Sequence, residues 1–109
     1  MNSKYYFGLA WNLRKYEEED EVALSEVEQS LRAAIFKSPS HWVYRLNLAE
    51  FYLRQQKRSS ATYYIPMALR EFAAAVRLFP ESLPLQNRLG SILMWAGNYH
   101  PELIPLELF

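Results

Sequence analysis

Apolar residues in the second half of the chain recur with the spacing of one helical face. Ala68, Phe72, Ala75 and Phe79 follow one another at intervals of four, three and four residues, as expected for a helix packed on one side. Pro80 comes directly afterwards and forbids further helix. The pattern therefore predicts a helix whose alanines let a neighbouring backbone approach while Phe72 fills the space between helices.

The same pattern occurs 41 residues earlier, and a second set of residues repeats at that period along the whole chain. The earlier helix carries Val27, Leu31, Ala34 and Pro39 in the corresponding slots. Each copy opens with a large, a small and another large apolar residue: Phe7, Gly8 and Trp11, then Leu48, Ala49 and Tyr52, then Leu89, Gly90 and Leu93. The repeat predicts one all-α domain over residues 1–109, with about two and a half copies at 1–41, 42–82 and 83–109.

Breakers and polar stretches divide this domain into five helices and a short sixth segment, with no strand predicted. The helices are expected at about 2–16, 20–37, 41–56, 61–78 and 83–96, and the sixth segment at 99–109. Pro66 lies inside the fourth helix, so a start near residue 65 is the alternative to a start at 61 with a kink. Residues 55–60 are predicted to form a loop, and Gly97-Asn98 to end the fifth helix in the left-handed conformation.

The aligned residues resemble the tetratricopeptide repeats, whose motif reads large, small, aromatic on one helix and small, aromatic, small, proline on the next. The second copy matches at Leu48, Ala49, Tyr52, Ala68, Phe72, Ala75 and Pro80, and the third at Leu89, Gly90 and Gly97-Asn98-Tyr99. The resemblance implies a right-handed stack of antiparallel helical hairpins, an α-solenoid. The family period is about 34 residues, so about seven extra residues per copy are expected in the turn inside each hairpin.

Two other resemblances are weaker. The period of 41 residues also falls in the range of HEAT and armadillo arrays, but the small-residue slots follow the tetratricopeptide spacing. Degenerate repeats with lengthened hairpins are also similar to those attached to bacterial membrane proteins of the O-antigen ligase or polymerase type. That resemblance implies a non-catalytic accessory or regulatory domain of a larger membrane protein of surface-polysaccharide ligation or polymerisation.

Charge and composition narrow the classes of function further. The chain has 12 basic and 12 acidic side chains and a formal net charge of zero, which argues against nucleic acid as a partner. Residues 17–21 are all acidic, and we interpret them as a solvated loop or a helix start. No apolar run is long enough for a membrane-spanning helix, so we expect a soluble domain, without direct membrane insertion. The absence of cysteine fits either a cytoplasmic or a periplasmic location, so the compartment stays open.

Nothing in the sequence forms a recognisable catalytic, metal or cofactor motif. His41 and His100 are the only histidines, and each lacks a nearby aspartate or cysteine partner in the sequence, so surface or capping roles are favoured. Glycine-rich phosphate loops, zinc spacings and nucleophile elbows do not occur. We therefore expect no enzymatic activity, no catalytic or metal residue and no cofactor.

The function that the resemblance implies is binding of a protein or peptide segment on the concave face of the stacked hairpins. In that family the partner-binding surface lies on first-helix residues that face away from the paired second helices. By this resemblance the binding residues are Asn47, Glu50, Arg54, Asn87, Arg88, Ser91 and Trp95.

Some members of the family grip a terminal carboxylate with an asparagine and a basic residue, and here Asn47 and Arg88 occupy equivalent slots. Pro84 stands where such a clamp would want a lysine, so a generic peptide groove is the preferred form of the hypothesis. Residues 99–109 are expected either to mediate self-association or to act as a cap, because they are apolar and lack a complete covering helix.

Overall fold

The computed structural model describes residues 2–18 and 20–108, and all regular structure in these residues is helical. The five α-helices are α1 (Ser3–Leu13), α2 (Glu21–Lys37), α3 (Trp42–Ser59), α4 (Tyr64–Leu78) and α5 (Leu83–Tyr99). Short 3-10 turns cover Arg14–Tyr16, Pro101–Leu103 and Leu106–Leu108. The prediction of an all-α chain is confirmed. Glu19 of the acidic run and Phe109 of the terminal segment lie outside the described residues.

Side-chain caps explain where three of the helices begin. Asn2 accepts the backbone N–H of Tyr5 at 3.0 Å, and Asp20 accepts that of Val22 at 2.9 Å. Ser82 does the same for Leu85 at 3.3 Å. Each cap satisfies a donor that has no partner within the helix. The predicted starts of α1, α2 and α5 are therefore correct to within one residue.

The predicted loop at residues 55–60 is wrong, because α3 continues to Ser59. Gln55 is buried in that last turn, and Ser60 ends the helix in the left-handed region, with φ of 58°. The connection to α4 is therefore only residues 60–63. Many of the extra residues in the second copy, which were expected in the turn inside the hairpin, belong instead to α3.

The predicted early start of α4 is also wrong. The helix begins at Tyr64, and Pro66 lies in its first turn, where a missing backbone N–H removes no helical hydrogen bond. The backbone N–H groups of Tyr64 and Ile65 bond three residues back, to Ala61 and Thr62. The alternative start near residue 65 is the one the structure shows.

The end of the chain differs from its prediction in two ways. Gly97 is helical and α5 continues to Tyr99, because the break comes from Pro101, which disfavours helical geometry at His100. The expected sixth helix is replaced by two 3-10 turns, since Pro105 cannot donate the hydrogen bond that a continuous helix would need. Leu103, Ile104 and Leu108 nevertheless pack against the core.

One core runs through all five α-helices. Its buried members include Ala10 of α1, Val27 of α2, Tyr52 of α3, Phe72 of α4 and Ile92 of α5. The predicted burial of Phe72, Ala68 and Ala75 is confirmed. The sequence pattern predicts Phe79 on the buried face of the helix, and this prediction is wrong. Phe79 is the C-cap residue of α4 and is partly exposed.

A polar network joins α2 to α3 at the edge of this core. The buried Tyr52 hydroxyl donates to Glu28 Oε2 at 2.8 Å and accepts from Arg32 Nη2 at 2.7 Å. Burial and the Glu28 carboxylate both raise the pKa of Tyr52. The hydroxyl therefore stays protonated and keeps donating to Glu28.

Candidate functional site

The predicted binding residues of α3 are engaged within the protein. The side-chain amide of Asn47 donates to the backbone carbonyl oxygen of Val43 at 2.8 Å, one turn earlier in the same helix. Arg54 binds the carboxylate of Glu17 with both Nε, at 2.6 Å, and Nη2, at 3.3 Å. A partner would have to compete with these internal bonds.

Glu50 and Arg88 form a bidentate ion pair that joins α3 to α5. Arg88 Nε lies 2.7 Å from one carboxylate oxygen of Glu50 and Arg88 Nη2 lies 3.0 Å from the other. The hydrogen bond to Glu50 raises the pKa of Arg88. The guanidinium also lies 5.7 Å from the centre of the Phe72 ring. These two predicted binding charges neutralise each other, which disfavours the carboxylate-clamp form of the hypothesis.

The acidic run is not wholly a solvated loop, and for Glu17 that interpretation is wrong. The Glu17 side chain is only 2% exposed, and Arg58 and Gln55 approach one of its carboxylate oxygens at 3.5 Å in addition to Arg54. Glu18, by contrast, is exposed and reaches Arg58 at 3.2 Å. The buried charge is held by its arginine partners, as burial of a carboxylate requires.

An open cavity of about 640 Å³ lies beside these ion pairs. Its walls are the end of α1, the first 3-10 turn and the end of α3, and they include Trp11, Arg14 and Lys15. Arg14 lies 5.4 Å from the Trp11 ring. This site was not predicted; its signal in the sequence is the large aromatic Trp11, in the repeat slot that holds Tyr52 and Leu93 in the other copies.

Three of the four predicted residues of α5 lie together on one face of the helix, and the fourth, Arg88, binds Glu50 instead. Asn87, Ser91 and Trp95 line an open groove of about 600 Å³, together with Met94 and Tyr99. Ser91 donates to the backbone carbonyl of Asn87 at 2.9 Å. Trp95 is half-buried, and its ring lies 5.6 Å from that of His100. Of the seven predicted residues, the structure thus brings these three together in one accessible place.

The repeat allows this face of α5 to be compared with the matching face of α3. Met94 and Leu53 are 41 residues apart, and Met94 is 70% exposed whereas Leu53 is 4% exposed. Gly90 matches Ala49, which is completely buried, while a side chain built at Gly90 would meet no atom within 4 Å. Helices α2 and α4 both pack against α3, whereas α5 packs against α4 and the turn that follows it. The groove on α5 therefore exposes positions whose equivalents on α3 are buried.

The two histidines contact different residues of the fold. His41 stacks on Tyr44 with ring centres 4.2 Å apart, and His100 lies 4.0 Å from Glu102. Residues 2–18 and 20–108 hold no group of three side chains arranged to bind a metal ion. Within those same ranges, no helix combines the length and the apolar character needed to cross a bilayer.

Comparison of the chain with protein-family models, with curated proteins and with solved structures finds no match. The resemblance to tetratricopeptide repeats therefore rests on the residues that carry it, and the expectations drawn from it, including the accessory-domain alternative and the absence of enzymatic activity, stay predictions.

Proposed function

We propose that this chain is a protein-interaction module that holds a helical segment of a partner protein along the outward face of α5. The observation that carries the proposal is the contrast between Met94 and Leu53, which occupy the same slot of the repeat but are 70% and 4% exposed. A position that is buried under helices in one copy is suited to a helix in the next copy as well.

The proposal treats the domain as a right-handed stack of helical hairpins. In its support, α1 packs against α2 and α3 against α4, and equivalent residues recur every 41 positions. The members of such a stack bury faces that they cannot bury alone, so a face that no helix covers is available to a partner. In this arrangement α5 opens the third copy and carries that face.

The side chains of the α5 groove suit a mainly apolar helix with some polar contacts. Met94 is flexible and adapts to varied apolar shapes, and Trp95 and Tyr99 offer large surfaces of the kind that dominate binding energy. Gly90 lets a partner backbone approach closely because it carries no side chain. Asn87 and Ser91 add hydrogen-bonding groups at one end of the groove.

Peptide selection against the purified domain tests this function. Peptides enriched from a library of amphipathic helices are measured by titration calorimetry against the wild type and against Met94→Glu. The charge is expected to weaken binding by about tenfold or more, because it would be buried against apolar surface. Val22→Glu is the matched control, because Val22 is equally an exposed apolar residue but lies on α2.

Two results would contradict the proposal. One is failure of the folded domain to select any helical peptide. The other is selection of peptides whose affinity is the same for Met94→Glu as for wild type, with both proteins equally stable. An Asn47→Ala, Arg88→Ala double variant tests the clamp form of the hypothesis, because loss of binding only in that variant would place the site between α3 and α5, at these two residues, instead of on the outward face of α5.

A further inference from the structure

One end of the helix bundle combines exposed apolar side chains with basic groups that form no ion pair within residues 2–18 and 20–108. Two contacts between helix ends show which elements meet at this end. Trp42 at the start of α3 lies 5.3 Å from Phe79 at the end of α4, between ring centres, and Ser38 after α2 donates to Ser3 of α1 at 2.8 Å. The starts of α1, α3 and α5 and the ends of α2 and α4 therefore meet here, and we call this surface the apolar end.

The apolar side chains at this end are unusually accessible. Phe36 is 81% exposed and Leu83 is 66% exposed, and Leu78 and Phe79 are both exposed at more than a third of their surface. They belong to the last turn or cap of α2 and α4 and to the first turn of α5. Clusters of exposed apolar residues of this kind mark surfaces that bind a protein, a ligand or a membrane.

The charges at the apolar end are of predominantly one sign. Lys4, Lys37 and Arg77 are exposed here, and Glu81 is exposed with the opposite charge. Arg77 also lines a cavity together with Glu71 and Glu107. None of the three basic groups forms an ion pair in the part of the chain that the structure describes. The opposite end, where α1 finishes and α2 begins, is mixed in charge, because the exposed carboxylates of Glu18 and Asp20 lie there with the exposed basic groups of Arg14, Lys15 and Lys57.

We propose that the apolar end docks on an anionic lipid surface, with its apolar side chains in the headgroup layer and its basic groups beside lipid phosphates. Aromatic and large aliphatic side chains enter the membrane interface, and lysine and arginine are drawn to anionic headgroups. Docking needs no spanning helix, and it is independent of the α5 groove.

A second copy of the chain fits this end less well. In a two-fold symmetric contact the same patch meets itself, so the three basic groups would face their own copies across an apolar centre. Like charges placed together in this way oppose association. An anionic surface supplies the opposite charge instead.

Vesicle co-sedimentation at low salt tests the proposal. The full chain is mixed with vesicles of phosphatidylcholine alone or of phosphatidylcholine with phosphatidylserine. The test variant combines Phe36→Ser, Lys4→Glu and Lys37→Glu. The matched control combines Leu106→Ser, Lys15→Glu and Lys57→Glu, which removes one exposed apolar residue and reverses two charges elsewhere.

Wild type and control are expected to bind the phosphatidylserine vesicles. The test variant is expected to bind them with an affinity lower by about tenfold or more. Added salt should release the protein. The proposal is overturned if wild type does not bind, if both variants lose binding equally, or if sedimentation velocity shows that the test variant merely breaks a dimer. Thermal melts of all three proteins confirm that the chain is folded in each.

Discussion

Replacing Arg54 with alanine should weaken the fold more than it weakens partner binding. Arg54 was predicted as a binding residue, but in the structure it holds the buried carboxylate of Glu17 with two nitrogen atoms. Without Arg54, that carboxylate keeps only Arg58 and Gln55, both at the long distance of 3.5 Å. The substitution therefore leaves a buried charge with poor partners.

The size of the effect follows from burial. Removing one partner of a fully buried ion pair costs about 3–5 kcal/mol, whereas an exposed pair is worth about 0.2–1 kcal/mol. Glu17 is 2% exposed and Arg54 is 25% exposed, so this pair lies between these limits but nearer the first. We expect Arg54→Ala to lower the free energy of unfolding by about 2–3 kcal/mol.

A double-mutant cycle with urea melts measures this pair. Arg54→Ala, Glu17→Ala and the double variant are followed by circular dichroism, and the coupling energy should be about 1–3 kcal/mol. The double variant should be more stable than the sum of the single losses implies, because removing both partners leaves no unpaired charge. A coupling energy below about 0.3 kcal/mol, or an Arg54→Ala variant as stable as wild type, would refute the reasoning.

Three further predictions concern stability, each checked by urea unfolding. Phe72→Ala should cost about 3–5 kcal/mol because it empties a buried space in the middle of the core, and a loss below about 1 kcal/mol would show that the helix faces are misassigned. Gly90→Ala should stabilise the domain by about 0.5–1 kcal/mol, since this glycine is helical and has open space around it; destabilisation would mean that the position is covered. Tyr52→Phe should cost about 1 kcal/mol through loss of the hydroxyl bond to Glu28, and an unchanged melt would argue that the network contributes nothing.

The number of helices and much of the core could be predicted because they depend on local pattern. The spacing of Ala68, Phe72 and Ala75 identifies the buried side of α4 whatever packs against it. Helix ends were harder where the deciding interactions are distant in sequence. Gln55 looks like a loop residue, yet it is buried beside Glu17, 38 residues away, and this tertiary contact supports the last turn of α3.

The candidate site was predicted only in part for a related reason. The repeat drew attention to α3 and α5, but spacing does not show whether a charged side chain points to solvent or to another charge. Glu50 and Arg88 were both chosen as binding residues, and they bind each other across 38 residues. Asn87, Ser91 and Trp95 line an open groove because α5 packs against one α-helix and a short turn, whereas α3 packs against two α-helices.

The most direct test of the central claim is an amide chemical-shift map of the ¹⁵N-labelled domain, recorded while a peptide selected by the domain is added. If α5 is the binding surface, the largest shifts should lie along its outward face, at Gly90, Ser91 and Met94. The amides of α2 should change little. Shifts concentrated in α2 or in the end of α1, with those of α5 unchanged, would contradict the claim.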